Sequence, residues 1–232
     1  MNENEENPVK IFPLGESALT IEFANEISPE INDKVINLAC YIENEKFPGF
    51  IELIPAYASL TVFYDISIVL KNFPEFSIAF DAVKSFSENA LQKMGEITKS
   101  KPRLVEIPVR FDESAALDLG FVAATNNLQT SEVVEIFTAT TYRVYMLGFL
   151  PGFAYMGEVD ARIATPRRSS PRTKTPKGSV GIAGKQTGIY PLESPGGWQI
   201  IGATDVELFT PESESQTFLQ AGDTVKFYPQ NR

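Results

Sequence analysis

A chain of 232 residues with 43 % apolar and 22 % charged positions is long enough for one or two domains, and its 17 Phe exclude a disordered or fibrous character. The balance of 20 Lys and Arg against 30 Asp and Glu gives a formal −10, which disfavours nonspecific nucleic-acid binding, since phosphate contacts need a basic face. Histidine is absent and cysteine occurs once, as Cys40, which excludes an internal disulfide, a His-based metal site and every Ser-His or Cys-His nucleophile.

The N-terminal MNENEENPVK lacks the basic start and apolar centre of a secretory signal, and the reading of the compartment is cytoplasmic. The longest uncharged run, Val144 to Gly157, is too short to span a bilayer core of about 30 Å as a helix and contains Pro151-Gly152, which would break one. No membrane span is expected.

Residues 18–23 alternate, with Leu19, Ile21 and Phe23 on one face and Thr20 and Glu22 on the other, the period of a half-buried strand. A helix follows, capped by Ser28, with Pro29 at its first position and an apolar stripe of Ile31, Val35, Leu38, Ala39 and Ile42. Cys40 lies opposite the stripe without a cationic neighbour in sequence, which marks a surface residue and not a nucleophile. Strand-like runs at 50–56 and 59–65 lead to a second amphipathic helix, with Ile78, Ala82, Val83, Phe86 and Ala90 on one face and Asp81, Lys84 and Glu88 on the other. These elements predict a two-layer α+β domain over residues 1–98.

The polar stretch 94–103, with Gly95 and Pro102, reads as a linker, and a new strand pattern begins at 103–111. Short helices are expected at 114–125 and 131–138, the second capped by Thr130 or Ser131. From Tyr142 onward, short apolar segments are punctuated by Gly and Pro, and 10 of the 15 glycines fall between Gly148 and Gly202, the texture of a small β-barrel. The second domain is thus expected to be mainly β and to cover 99–232.

Pro151-Gly152 and Pro195-Gly196 both suit the centre of a type II turn, where Gly supplies the positive φ. Glycines also let backbone amides approach a ligand, so Gly196, Gly197 and the series Gly178, Gly181, Gly184 and Gly188 are candidates to line a pocket. The run GSVGIAGKQTG is not a phosphate loop: Gln186 follows Gly184-Lys185 where Ser or Thr is needed, and Ser179 stands where the first glycine should be.

Between Ala161 and Gly188 stand seven basic residues, Arg162, Arg167, Arg168, Arg172, Lys174, Lys177 and Lys185, and no acid, which leaves −17 for the rest of the chain. Pro166, Pro171 and Pro176 restrict the backbone there, so a guanidinium fork can be held for a carboxylate or phosphate at small entropic cost. The competing reading pairs each arginine with acids elsewhere in the chain. For the cluster as a whole, mutual repulsion favours an anion site or a partner surface.

The run YRVYMLGFLPGFAYMGEVDARIATPRR, continuing through TPKGSVGIAGKQTGIYPLESPGGWQIIGAT, resembles the family of 5-oxoprolinase B subunits, also described as allophanate hydrolase subunit 1 and as a carboxyltransferase-domain subunit. The same family includes the sporulation kinase A inhibitor. The similarity extends to LGESALTIEF, PGFIELIPAYASLTVFYD and FLQAGDTVKFYP, and so covers nearly the whole chain. It implies an α+β N-terminal domain joined to a cyclophilin-like barrel. It further implies a complex with two partners, the larger homologous C subunit of 5-oxoprolinase together with its A subunit, and the ATP-dependent opening of 5-oxoproline to glutamate without a metal site in this chain.

A lactam is a poor electrophile, and phosphorylating its carbonyl oxygen would open the carbon to water; arginines and backbone amides suit the charge that develops. On the resemblance, anion contact is expected from Arg167, Arg168 and Arg172, and pocket lining from Gln186, Thr187, Tyr190 and the turn containing Gly196, Gly197 and Trp198, with core packing the other reading of Trp198. Many family members have His where this chain has Phe137, so a proton-transfer role there would have to be lost or supplied by a partner. Alternatives from the same resemblance are a protein inhibitor of a sensor histidine kinase and a component of a hydrolase for allophanate or related urea-derived amides.

Overall fold

The computed structural model describes residues 9–94 and 102–230, and the chain divides into two compact units between Lys101 and Pro102. The expected boundary at 98/99 and most of the expected linker lie outside the described residues.

The first unit runs β1 (Lys10–Pro13), β2 (Ala18–Glu22), α1 (Pro29–Asn44), β3 (Phe50–Pro55), β4 (Ser59–Tyr64), α2 (Ile66–Asn72) and α3 (Ala79–Lys93). Its sheet is antiparallel in the order β1-β2-β4-β3, with α1 and α3 packed against it. Alternation places Leu19, Ile21, Leu60, Val62 and Tyr64 in a core with Val35, Leu38, Ile42 and Val83 from the helices. The Ser28 hydroxyl accepts from the Ile31 amide at 3.3 Å, as expected of the cap. Two details of the helical stripes differ from expectation. Asn32, not Ile31, is fully buried on α1, because its side-chain amide donates to the carbonyls of Ala56 and Tyr57 at 3.1 and 3.2 Å. Ile78 is 58 % exposed, because its backbone is extended and the helix starts one residue later.

The second unit contains β5 (Leu104–Val109), α4 (Leu119–Thr125), α5 (Thr130–Ala139), β6 (Thr141–Leu147), β7 (Ala154–Gly157), β8 (Arg172–Thr175), β9 (Ser179–Ala183), β10 (Gln186–Ile189), β11 (Ser194–Gly196), β12 (Gln199–Ala203) and β13 (Thr224–Pro229). Seven strands form a sheet in the order β12-β9-β10-β7-β6-β13-β5, in which only the pairing of β13 with β5 is parallel. Just past β5, Arg110 and Ala203 exchange backbone hydrogen bonds of 2.8 and 3.0 Å, which brings the two edges together into a nearly closed barrel. Gly202 makes that closure possible: a Cβ there would lie 2.6 Å from Val109 Cγ1 and 2.8 Å from the Arg110 carbonyl.

The barrel core joins Ile107, Val144, Met156, Val180, Ile182, Ile201 and Val225 to Val122 of α4 and Val133 of α5. Phe137 sits within it, fully buried and stacked on Phe227 with centroids 4.9 Å apart, so in this chain the position is filled by packing. The first helix here is shorter than expected. Residues from Asp112 to Ala116 form a turn in which the Asp112 carbonyl accepts from Ala115 and Ala116, and α4 starts only at Leu119. The cap of α5 is Gln129 instead of Thr130 or Ser131, and its backbone amide donates to the Glu132 carboxylate at 2.7 Å.

Candidate functional site

Five of the seven cations in the basic passage pair with acids, and Arg167 and Lys185 have no carboxylate within ion-pair distance among the described residues. Arg162 bonds Asp160, Lys174 lies 3.2 Å from Glu193, and Lys177 lies 2.7 Å from Glu207. Asp160 is held at about 2, below the usual carboxylate range, chiefly by the hydrogen bond from the Arg162 side chain. Arg168 and Arg172 share one acid, Asp118, which stands just before α4 and is only 4 % exposed. Arg172 contacts both Asp118 oxygens at 2.8 and 2.6 Å, Arg168 contacts Oδ1 at 2.9 Å, and the Ile200 amide donates to Oδ2 at 2.7 Å. A carboxylate so fully bonded is a rigid anchor, and its two arginines are fixed by it.

Of these two, Arg167 lies at the centre of the passage. It is exposed, no described carboxylate lies within ion-pair distance of it, and its guanidinium stands over the Trp198 ring, 5.9 Å from the centroid. Its loop is tied at both ends: the Gln199 side chain donates to the Pro166 carbonyl at 2.9 Å and the Arg168 amide donates to the Gly197 carbonyl at 2.7 Å.

Arg167 and Arg168 line two neighbouring cavities. The first, of about 290 Å³, is walled by Phe149, Phe153, Tyr155, Tyr190 and Trp198, with Pro171, Pro195, Gly196 and Gly197 completing it. Phe153 is the hub of these rings, edge-on to Tyr155, Tyr190, Trp198 and Phe149 at 4.9, 5.3, 5.4 and 5.5 Å. Trp198 therefore serves both as packing, at 5 % exposure, and as cavity wall. Burial raises the Tyr190 phenol above its ordinary value, against a bond with the Trp198 backbone and the charge of Arg167. The second cavity, of about 460 Å³, adds Phe121, Thr125, Pro166, Ser169, Ser170 and Gln199. Gln199 Oε1 is buried there with no hydrogen-bond donor among the described residues.

The structure brings together Arg167, Arg168, Tyr190, Gly196, Gly197 and Trp198 from the expected site. Arg172 is adjacent but spends its guanidinium on Asp118. Gln186 and Thr187 line neither cavity: both lie in β10 between β9 and β7, and the Thr187 hydroxyl is fully buried, donating to the Gly181 carbonyl at 2.9 Å. Of the glycine series, Gly181 and Gly188 are taken up by packing against Trp198 and Phe153, and Gly178 by the Thr204 backbone. Pro151-Gly152 makes a turn with Gly152 at φ +80, but Pro195-Gly196 does not: it lies in β11, paired with β8. Glycine is required at 196 for space, because a Cβ would meet the Tyr190 hydroxyl at 2.5 Å and Thr175 Oγ1 at 2.7 Å. Among the described residues no group of three or more His, Cys, Asp or Glu is placed to hold a metal ion, and no helix is long and apolar enough to cross a membrane.

A two-layer α+β unit followed by a nearly closed barrel with an arginine- and aromatic-walled cleft defines the class of protein. Residues 9–219 match the family described as carboxyltransferase domain, subdomain C and D, and the chain belongs to that family. It is 50 % identical to the B subunit of 5-oxoprolinase from Bacillus subtilis (strain 168) over 219 residues, 94 % of this chain and 91 % of that one. Among solved structures, the protein TTHA0988 superposes with a TM-score of 0.78 at 32 % identity, over 93 % of this chain and 40 % of that one. The urea amidolyase of K. lactis shares the fold, with a TM-score of 0.71 at 21 % identity over 96 % of this chain and 15 % of the larger one.

Proposed function

We propose that this chain is the B subunit of a cytoplasmic, ATP-dependent 5-oxoprolinase. It acts with the larger homologous carboxyltransferase component, the C subunit, joined by the A subunit, to open 5-oxo-L-proline to L-glutamate. The observation that carries the reading is the 50 % identity to a protein named as the B subunit of 5-oxoprolinase, end to end over 94 % and 91 % of the two chains. The barrel unit is taken as cyclophilin-like, with the arginine cleft as its ligand-binding surface.

The cleft supports the reading chemically. ATP, when bound, would supply the phosphoryl group that turns the lactam carbonyl into an electrophile. Arg167 faces the cleft with no described carboxylate competing for it, so its fork is available to phosphate or carboxylate oxygens. Arg168 is oriented by Asp118, and one acid against Arg168 and Arg172 leaves their group with a net positive charge. Gly196 and Gly197 present backbone to the cavity with no side chain in front of it, and the neutral Tyr190 hydroxyl adds a polar tip to an apolar wall. Among the described residues no carboxylate lines either cavity, so this surface binds and orients, and the group that moves the proton at neutral pH is assigned to a partner.

Mixing the purified chain with both partner subunits, ATP and 5-oxoproline tests the assignment. Glutamate formation that stops when this chain is omitted is expected. No glutamate from all three, together with suppression of a sensor kinase's autophosphorylation by this chain alone, would replace the enzyme reading with the inhibitor one.

A further inference from the structure

The two cavities at Arg167 and Arg168 differ in what they leave unused. In the first, Phe153, Tyr190 and Trp198 are packed on one another and are 1, 2 and 5 % exposed, so their surface is already spent. The second keeps its polar groups. Thr125, Ser169 and Ser170 line it, all three are exposed, and no hydrogen bond among the described residues uses their hydroxyls. Arg167 lines it as well, with no described carboxylate within ion-pair distance, and Arg168 beside it is fixed on Asp118. The guanidinium groups of Arg167, Arg168 and Arg172 stand against the single carboxylate of Asp118, so three positive charges meet one negative charge and a surplus of two remains.

One acceptor stands among these donors. Gln199 is 2 % exposed and lines the same cavity, and its Oε1 is buried without a donor among the described residues. Turning the amide round does not relieve this. Nε2 donates to the Pro166 carbonyl at 2.9 Å, and exchanging the two atoms would set Oε1 against a carbonyl that can only accept. A buried acceptor left unpaired is costly, so the site calls for a ligand that brings a proton to Oε1. The Pro166 carbonyl belongs to the peptide that joins Pro166 to Arg167, which puts the Gln199 amide beside the backbone of the unpaired arginine.

These demands select among anions. A carboxylate has its oxygens in one plane and no proton to give. Sulfate and the dianion of a phosphate monoester offer tetrahedral oxygens to several donors, but they too lack an O–H. Monohydrogen phosphate has both parts. Its unprotonated oxygens suit the Arg167 fork and the hydroxyls of Ser169, Ser170 and Thr125, its P–OH can donate to Gln199 Oε1, and its double negative charge matches the surplus on the arginines. An ion of that size fills only the end of the cavity of about 460 Å³ that lies beside the Pro166–Arg167 peptide.

We infer that the second cavity is a site for inorganic phosphate in its monohydrogen form, with Gln199 the residue that tells it from sulfate and from phosphate esters. The donor and acceptor set carries this without the 5-oxoprolinase reading; under that reading the ion is what ATP hydrolysis releases.

Arg167 stands over Trp198, the only tryptophan of the chain, so capture of an anion by Arg167 is followed in Trp198 fluorescence, with calorimetry in parallel. The full chain is titrated with orthophosphate, sulfate and methyl phosphate at constant ionic strength and mildly alkaline pH, where orthophosphate is chiefly the monohydrogen dianion. Orthophosphate is expected to bind saturably in the millimolar range, with sulfate and methyl phosphate at least about tenfold weaker, the scale of one buried acceptor left unpaired. Gln199→Met is expected to bind the three ions alike, whereas Arg167→Gln, at an exposed position, weakens all three and keeps their order. Any of three results overturns the inference: no saturable response to orthophosphate by either method, sulfate or methyl phosphate binding as tightly as orthophosphate, or Gln199→Met keeping the wild-type preference. The comparison of the three ions on the wild-type chain decides the matter even if Gln199→Met fails to fold. Glutamate formation by the three-subunit complex, with no phosphate binding by this chain, would remove the inference and keep the 5-oxoprolinase reading. Phosphate binding without glutamate formation would do the reverse.

Discussion

Removing the Asp118 carboxylate leaves Arg168 and Arg172 without their shared acceptor and the Ile200 amide without its partner. Breaking a buried ion pair costs about 3–5 kcal/mol, and because Arg168 keeps 34 % of its side chain exposed, Asp118→Ala is expected near the lower end, about 3 kcal/mol, measured by denaturant unfolding. Asp118→Asn should recover part of that loss, since an amide oxygen still accepts. Nothing in the sequence marked Asp118: it stands 50 and 54 residues from its arginines and reads as an ordinary acid within the helix expected at 114–125. The arginines themselves were legible by composition, but not which of them would be spent inside the fold. The tyrosines give a pH dependence with a defined sign. Tyr64, Tyr142 and Tyr190 are all raised above 10.0, chiefly by burial, so the unfolded chain ionises first. Their contribution to stability is full below about pH 10 and is lost as the pH rises beyond it. Arg167→Gln removes a charge that favours ionised Tyr190, so absorbance titration of the folded variant should find that phenol ionising at still higher pH. An unchanged or lower midpoint would contradict the placement of the guanidinium.

Local signals located most elements because the physics that forms them is local. Ser28-Pro29 begins α1 through a side-chain cap, and Ser28→Ala is expected to cost about 1 kcal/mol by thermal unfolding. Pro195-Gly196 misled for the converse reason: the dipeptide is compatible with a turn, yet long-range pairing of Ser194 with Thr175 and Gly196 with Arg172 places it in a strand. Space around Gly196 offers a specific check. Gly196→Ala drives a methyl group against the Tyr190 hydroxyl and Thr175 Oγ1, with an expected cost of about 1–3 kcal/mol. Adding Tyr190→Phe removes the nearer of the two oxygens, so the double variant should be more stable than the sum of the single effects allows. Strict additivity would count against this packing. Gln186 and Thr187 were expected at the pocket on the family resemblance; the pairing of β10 between β9 and β7 assigns Thr187 to a barrel hydrogen bond instead.

At the scale of the molecule, the contrast between a basic passage and an acidic remainder is largely settled within the chain: Asp118, Asp160, Glu193 and Glu207 take up five of the seven cations. Lys185 and Arg167 are left over, and of the two it is Arg167, over Trp198, that lines the cavity, which no described carboxylate lines. The mixed α and β texture and the nearly closed barrel were legible, because period-two and helical patterns and clustered glycines survive in a single sequence. The cleft was legible only in part, since it is assembled from α4, the loops after β6 and β7, and the β8–β11 pair, whose meeting no spacing rule encodes. On the proposed function, a cleft with no carboxylate among its described lining residues makes the reaction a property of the assembled subunits. Rates of glutamate formation by the three-subunit complex with wild-type chain or with Arg167→Gln test this most directly. A fall of about tenfold or more in the variant, with the complex intact, is the expected result, of the order of one or two lost charge-assisted hydrogen bonds. Equal rates for the two complexes would contradict it.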